Sequence, residues 1–210
     1  MIAAISLMRR RADIDLARFR RHWLDIHGPL VCRFTGLHHY VQDHVIESTA
    51  MNALAREMRI DGFPILTFAN DADRQQAHGS AEMAACNVDS RSFIGAVSRV
   101  ICEPRIVVPV TPDVVRMQLI ALFPGDTPDD AAVERYAANA RSLPGLHGLV
   151  AYRVLQQGAA PNSTIPHLPV NVAGLAELSF ASLVDLECAV ADSVAEQSAA
   201  CFVVEQHRLV

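Results

Sequence analysis

The sequence predicts an α+β fold in which two β-α-β-β-α-β units follow one another in a single chain. One observation is a repeated motif, because the segment from Gly36 to His38 recurs as Gly145 to His147. A second observation is the order of the apolar segments, which is the same on either side of both copies of this motif. A tandem duplication accounts best for a shared order of similar segments.

The spacing of apolar residues predicts the elements of each unit in the ferredoxin-like order. In the first unit these are strand 2–8, helix 15–27, strands 37–45 and 62–68, helical sequence 71–93 and strand 99–108. In the second unit they are strand 115–123, helix 128–141, strands 146–155 and 172–180, helical sequence 182–198 and strand 201–209. Asp15 and Thr127 are the predicted N-caps of the first helices. Gly28 and Pro29 are predicted to end the first helix of the chain.

The boundary between the units is predicted at 108–114, where Pro109 and Pro112 interrupt the pattern. This division gives a first domain at 1–110 and a second, diverged domain at 111–210. Each unit covers one face of its sheet with helices and leaves the other face open. We therefore expect the two open faces to meet in one closed barrel around a ligand cavity.

Composition excludes several classes of function. The chain has 210 residues and a formal charge of -5, which gives no general attraction to nucleic acid or to anionic lipid. All 18 cationic residues are arginines, so mechanisms with a Schiff-base or P-loop lysine are excluded. Five cysteines without a C-x-x-C pair indicate reduced, buried thiols. We expect a cytoplasmic protein with no membrane segment, no metal site and no cofactor.

One motif in the first unit points to a family. Phe19, Trp23 and His27 are spaced four apart and share a helix face, and Gly28-Pro29-Leu30 follows. Together with Gly36-Leu37 and Tyr40-Val41-Gln42, this pattern resembles the signature of the EthD-type proteins in the dimeric α+β barrel superfamily. The resemblance covers the first unit, while the second is similar only in its Pro-Gly-Leu-His segment and its strand pattern. It implies a barrel related by fold to muconolactone-type isomerases, polyketide cyclases, small oxygenases and haem-degrading enzymes.

The candidate catalytic residues are His27, Tyr40 and His44. His27 has two interpretations, a structural cap at the end of its helix or a general acid or base. Tyr40 and His44 alternate on one side of the strand at 37–45, together with His38 and Gln42, and we predict that this side faces the barrel lumen. Tyr40 would donate a hydrogen bond to an oxyanion and His44 would act as its partner or as a second base. The predicted substrate-binding residues are Phe19, Trp23, His38, Gln42 and His147.

The first functional hypothesis is an EthD-like protein that binds a small apolar or aromatic carbonyl compound in a barrel cavity. It would catalyse isomerisation, cyclisation or dehydration without a cofactor, as an isomerase or lyase, with His27 carrying the proton. One alternative is a non-catalytic protein that holds a small apolar metabolite for a partner oxygenase. Another is a haem or oxygen-dependent enzyme in which a barrel histidine would be the axial ligand. A homodimer of whole chains is left open.

Overall fold

The computed structural model describes residues 1–111, 117–158, 164–191 and 198–210. Within these residues the strands are Ile2–Arg10 (β1), Leu37–Val45 (β2), Gly62–Phe68 (β3), Ile94–Val108 (β4), Met117–Pro124 (β5), Leu146–Gly158 (β6), Val172–Phe180 (β7) and Ala200–Arg208 (β8). The helices are Leu16–His22 (α1), a π-helical turn at Trp23–His27, Gly28–Val31 (α2), Ala53–Met58 (α3), Asp71–His78 (α4), Ala81–Ser90 (α5), Asp130–Ala140 (α6) and Leu183–Ala191 (α7).

The strands form a closed antiparallel barrel in the order β1-β3-β2-β8-β5-β7-β6-β4. The first half of the chain contributes β4-β1-β3-β2, and the second contributes β8-β5-β7-β6. The halves meet where β2 pairs with β8 and where β4 pairs with β6. The prediction that one chain closes the barrel by itself is therefore confirmed, and the fold is an α+β fold with an eight-stranded antiparallel barrel.

The barrel interior is an apolar core to which both halves contribute. Strand register places Ile5, Ile65 and Val100 on one interior face, where they are almost fully buried. Phe63 of β3 and Phe202 of β8 meet there with ring centroids 5.1 Å apart. The helices lie on the outer face of the sheet.

The predicted end of the first helix at Gly28 and Pro29 is wrong. The chain passes through the π-helical turn, in which the Gly28 N–H donates to the Trp23 carbonyl oxygen five residues back. Pro29 lies at the start of α2, directly after the π-helical turn. His27 is consequently inside a continuous helical segment, and the predicted role as a cap beside unpaired terminal carbonyls does not apply.

Three further differences concern element boundaries. Asp15 caps α1 as predicted, but α6 is capped by Asp129 and not by Thr127, because the Asp129 side chain accepts from the Ala132 N–H at 2.9 Å. The helical sequence 71–93 is two helices, since Ser80 starts a second one by accepting from the Met83 N–H. The helix α3 was not predicted. The predicted junction at 112–114 and the end of the predicted helix at 192–197 lie outside the described residues.

Gly62 opens β3 directly beneath the indole ring of Trp23. A Cβ atom at this position would lie 2.3 Å from Trp23 Cζ3 and 3.1 Å from the Asp43 carbonyl oxygen. Trp23 is fully buried and its ring is rigid, so it has no free space into which to move. Glycine at position 62 is therefore a packing requirement of the Trp23 site.

We expect Gly62→Ala to lower the free energy of unfolding by about 1–3 kcal/mol, as overpacking of a dense core does. Urea unfolding at pH 7 measures this loss. Gly79→Ala is the matched control, because the atoms nearest to its added Cβ are 3.7 Å or more away. The control should change stability by about 0.5 kcal/mol or less, and equal effects of the two substitutions would contradict the packing argument.

Candidate functional site

Trp23 and β2 form a buried network between the π-helical turn and the sheet. The Trp23 indole stacks on the His44 imidazole, with ring centroids 4.4 Å apart and an interplanar angle of 5°. Its Nε1–H donates to the Tyr40 hydroxyl oxygen at 3.3 Å. Phe19, one helical turn earlier, packs on Trp23 at 5.6 Å. We call Trp23, Tyr40, Gln42 and His44 the motif network.

The Gln42 amide determines which atom donates and which accepts in the hydrogen bonds that it makes within the motif network. Its Nε2 group donates to the Trp23 carbonyl oxygen at 2.9 Å and to the Tyr40 hydroxyl oxygen at 2.8 Å, which uses both amide hydrogens. The Gln42 Oε1 atom must then accept from His44 Nε2, 3.0 Å away. His44 therefore carries its hydrogen on Nε2, as assigned from this network.

Burial makes Tyr40 and His44 poor acid–base groups at neutral pH. It raises the pKa of the Tyr40 hydroxyl above its usual value. Burial and, to a smaller extent, the nearby His207 and Arg20 lower the pKa of His44 to about 3. A base with so low a pKa accepts a proton only weakly, so the described geometry favours a positioning role for His44 over the predicted role as second base.

His27 belongs to a separate cluster on the helix side. Its Nδ1 lies 2.8 Å from Asp89 Oδ2, and His22 Nε2 lies 2.9 Å from Asp89 Oδ1. Burial raises the pKa of Asp89, but the hydrogen bonds from His27 and His22 outweigh burial and bring it below the usual value. An ionised Asp89 orients the His27 ring and leaves Nε2 as its proton-accepting atom.

The predicted orientation of β2 is wrong. Tyr40, Gln42 and His44 face the helices, where they contact Trp23, and the opposite side of the strand faces the barrel interior. Val41 and Asp43 occupy that inner side. The argument from polarity failed because both sides of β2 are buried and both carry polar groups, so period-two alternation alone does not tell lumen from helix side.

A cavity of about 230 Å³ lies at one end of the barrel interior, and we call it the barrel-mouth cavity. It is lined by strands of both halves and by the segment that follows β4. The lining residues are His39, Val41, Ile65, Thr67, Val110, Gln118, Val150, Tyr152, Glu177, Gln206 and Arg208. Glu177 and Gln118 are buried, whereas His39 and Arg208 are exposed at the rim.

Two buried carboxyl groups from different halves share one amide beside this cavity. Gln206 Nε2 lies 3.0 Å from Asp43 Oδ1 and 3.1 Å from Glu177 Oε1. The Tyr152 hydroxyl donates to Glu177 Oε2 at 2.6 Å. Asp43 Oδ2 is buried and has no hydrogen-bond partner among the described residues.

Burial and mutual repulsion raise the pKa values of these groups. Burial raises the pKa of Asp43 well above its usual value, and the charge of Glu177 raises it further. Burial also raises the pKa of Glu177, against the hydrogen bonds of Tyr152 and Gln206. Burial and the neighbouring Glu177 raise the pKa of Tyr152, so its hydroxyl stays a donor.

The model of the EthD domain matches residues 11–96. This part of the chain is therefore similar to an EthD domain. The matched segment contains the motif network and the His27–Asp89 pair, and it contributes Asp43 and part of the wall of the barrel-mouth cavity. A comparison with curated proteins finds no match.

Solved structures match the whole barrel. An anthrone oxidase-like protein has a TM-score of 0.65 at 10% identity, over 99% of this chain and 92% of that chain. A candidate monooxygenase from Lactobacillus acidophilus NCFM has a TM-score of 0.52 at 12% identity, over 99% and 93%. An EthD family protein from Bacillus halodurans is 21% identical with a TM-score of 0.42, over 49% of this chain and 97% of that chain. At these identities the first two structures establish the fold.

The predicted site residues fall into different places. Phe19 and Gln42 belong to the packed layer around Trp23, and they are almost fully buried. His38 is exposed at a register shift of β2, and His147 is half-buried at a register shift of β6. None of the residues predicted to bind substrate lines the barrel-mouth cavity.

The carboxyl pair was missed, although the sequence holds a signal for it. Glu177 is the single charged residue of the apolar segment from Val172 to Phe180, and an ionisable group in an otherwise apolar strand is seldom left buried without a reason. Asp43 alternates with Tyr40, Gln42 and His44 along the same strand. Its contact with Glu177 depends on the β2–β8 pairing between the halves, which no local pattern indicates.

The described residues hold no group of three or more histidine, cysteine, aspartate or glutamate side chains that is placed to bind a metal ion. In the same part of the chain, no helix has both the length and the apolar character needed to cross a bilayer. All five cysteines are free thiols, and Cys86, Cys102 and Cys201 are buried.

The low pKa of His44 predicts a pH dependence of stability. Between the unfolded value of about 6.5 and the folded value of about 3, the unfolded chain binds this proton and the folded chain does not, so stability falls as the pH falls. We expect His44→Phe, which retains a ring on Trp23, to remove up to about 2–3 kcal/mol of the loss between pH 6.5 and pH 4.5. Urea unfolding at several pH values measures the two slopes.

The raised pKa values of Asp43 and Glu177 act in the opposite direction, because they make stability fall as the pH rises. Asp43 and Glu177 are present in the wild type and in His44→Phe. The difference between the two slopes of stability against pH therefore measures the contribution of His44 alone. Parallel slopes for the wild type and His44→Phe would contradict the assignment of a neutral, buried His44.

Proposed function

We propose that the chain binds a small apolar or aromatic carbonyl compound in the barrel-mouth cavity. The observation that carries this proposal is the cavity itself. Val41, Ile65 and Val150 line it with apolar surface, and Tyr152 and Glu177 add polar groups at its buried end. Such a combination is typical of small-molecule sites, and a volume of about 230 Å³ suits a ligand of about one ring.

The EthD domain and the fold neighbours support a small-molecule role. The neighbour named as anthrone oxidase-like shares the whole barrel with this chain, and its name refers to a small organic compound. From this neighbour we infer the class of ligand, a small organic compound, and no reaction. The reaction that we propose is proton transfer without a cofactor, of the isomerase or lyase type.

We also propose that the chain consists of two ferredoxin-like repeats, 1–110 and 111–210. Each half has the strand order fourth-first-third-second. Gly36 has a φ of 78° and Gly145 a φ of 72°, so the turns that open the second strands are alike. A register shift follows Leu37 in β2 and Leu146 in β6. Similar irregularities at matching positions support a duplication.

The His27–Asp89 pair is a second candidate for the acid–base group. Its geometry is that of an imidazole oriented by a carboxylate, which is a common arrangement for a general base. The packing beside it argues for another role, because Trp23, Tyr40 and Gln42 are fully buried there in one packed layer. In the proposed function His27 and the motif network position β2, whose inner side forms part of the cavity wall.

The cavity wall offers a direct test of binding. We expect wild-type protein to bind acetophenone, detected by ligand-observed NMR, and Val150→Phe to abolish binding because the added ring fills the cavity. Val184→Phe is the matched control, since Val184 is 67% exposed on α7. Unchanged binding by Val150→Phe would contradict the proposal. The proposal also fails if the wild type binds none of acetophenone, benzaldehyde and cyclohexanone.

His27→Ala separates the two candidate sites. If His27 only positions structure, acetophenone binding should stay within about threefold of the wild type. Stability should fall by about 1–3 kcal/mol, because Asp89 Oδ2 loses its partner while His22 remains on Oδ1. Calorimetry and the same NMR assay measure both quantities. A stable His27→Ala protein that no longer binds acetophenone would instead identify the helix-side cluster as the ligand site.

Binding without any turnover would favour the non-catalytic alternative, in which the chain holds a metabolite for a partner oxygenase. That partner and a homodimer of whole chains stay predictions. The haem alternative has its own readout, because a haem-loaded protein would show a Soret absorption band that changes in a histidine variant.

A further inference from the structure

The two carboxyl groups inside the barrel have no role in the packing of an apolar core. Asp43 is completely buried and Glu177 is 9% exposed, and both lie beside the apolar core of the barrel. Both lie within hydrogen-bond distance of one atom, Gln206 Nε2. Two carboxylates so close together in an apolar interior repel strongly, so the pair holds one shared proton at neutral pH.

The hydrogen bonds show which member of the pair keeps the proton. Glu177 accepts two hydrogen bonds, from the Tyr152 hydroxyl at 2.6 Å and from Gln206, and both stabilise its ionised form. Asp43 accepts one, and its Oδ2 atom has no partner among the described residues. A carboxylate oxygen without a donor is costly in a buried site, whereas a protonated oxygen carries no charge there. Asp43 is therefore the neutral acid and Glu177 the carboxylate.

The ionised member is the one that lines the cavity. Glu177 is part of the wall of the barrel-mouth cavity, as is Gln118. The Gln118 Oε1 atom accepts from the Ser179 hydroxyl at 2.7 Å, which leaves its Nε2 hydrogens as donors. A carboxylate and an amide donor beside one cavity are the two groups needed to form and hold an enolate.

We infer that Glu177 is a general base that removes a proton from the carbon next to the carbonyl group of a ligand in the barrel-mouth cavity. This inference rests on the proposed function, since it requires a carbonyl ligand in that cavity. Asp43 acts through Glu177 as a positioning residue, because it retains the shared proton and leaves Glu177 ionised. The substrate class is an enolisable ketone or aldehyde of about one ring.

The step balances without an oxidant, a reductant or a cofactor. The ligand C–H bond breaks and its proton binds to a Glu177 carboxylate oxygen. The electron pair of that bond forms a carbon–carbon double bond, and the carbonyl π pair moves to the oxygen, where the Gln118 N–H donates to the resulting enolate. Glu177 then returns a proton to the same carbon, which gives exchange, or to a conjugated carbon, which gives an isomer.

Deuterium exchange into acetophenone tests the inference. In D₂O at neutral pH, the wild type should replace the methyl hydrogens of acetophenone with deuterium, followed by the loss of the methyl signal in NMR. Glu177→Gln should slow this exchange by about 100-fold or more while binding of acetophenone stays within a few-fold. Asp43→Asn mimics the neutral acid and should retain the exchange rate within about tenfold.

Infrared spectroscopy gives a second readout that a purely structural role would not change. A protonated carboxyl band should be present at neutral pH in the wild type and in Glu177→Gln, and absent in Asp43→Asn. Loss of the band in Glu177→Gln with its retention in Asp43→Asn would overturn the assignment of the proton. Exchange by Glu177→Gln at the wild-type rate would overturn the assignment of the base.

Failure of this inference differs from failure of the proposed function. If acetophenone binds to the wild type and is displaced by Val150→Phe but shows no exchange, the binding proposal stands and the general base is wrong. If acetophenone, benzaldehyde and cyclohexanone all fail to bind and none of them exchanges, the proposed function fails and the general base with it.

Discussion

The carboxamide of Gln42 is the group on which the arrangement of the first half of the chain depends. It links the Trp23 carbonyl oxygen in the π-helical turn to Tyr40 and His44 on β2. In a regular α-helix the His27 N–H would donate to the Trp23 carbonyl oxygen. In the π-helical turn this oxygen accepts from the Gly28 N–H and from Gln42 Nε2 instead. Gly28 has no Cβ, and a Cβ there would lie 3.0 Å from Gln42 Nε2. The irregular helix, the glycine and the glutamine are thus parts of one interaction.

That interaction acts on both sides of β2. Because successive side chains of a strand point to opposite faces, holding Tyr40, Gln42 and His44 against the helices directs Val41 and Asp43 into the barrel. Asp43 then meets Gln206, its register partner on β8. Tyr40, Gln42 and His44 thus fix the orientation of β2. Val41 and Asp43, which lie between them, form part of the candidate site inside the barrel. The residues of a sequence motif and the residues of a candidate ligand site need not be the same side chains.

Much of the fold was predictable because it depends on local periodicity. The strands Leu37–Val45, Gly62–Phe68 and Val172–Phe180 begin and end where alternation and flanking turns indicate. Closure of the barrel followed from the need to cover two apolar sheet faces. The π-helical turn was not predictable, because Gly-Pro ends a helix in most contexts. Here the helical segment continues past Gly28, and Gln42 donates to the Trp23 carbonyl oxygen in the π-helical turn. The side of β2 that faces the lumen was not predictable either, since helices cover one polar side and the barrel encloses the other.

The two halves contribute unequal parts to one site. The first half alone has Trp23 and the π-helical turn, while α6 of the second half is a regular helix with Tyr136 packed on Phe123. The candidate site does not follow this asymmetry, because Asp43 comes from the first half and Glu177, Tyr152 and Gln206 come from the second. The contact between the two carboxyl groups therefore depends on the pairing of β2 with β8. Within a single chain the two sides of such a pair can differ, whereas a symmetric dimer of identical units would repeat each side chain on both sides.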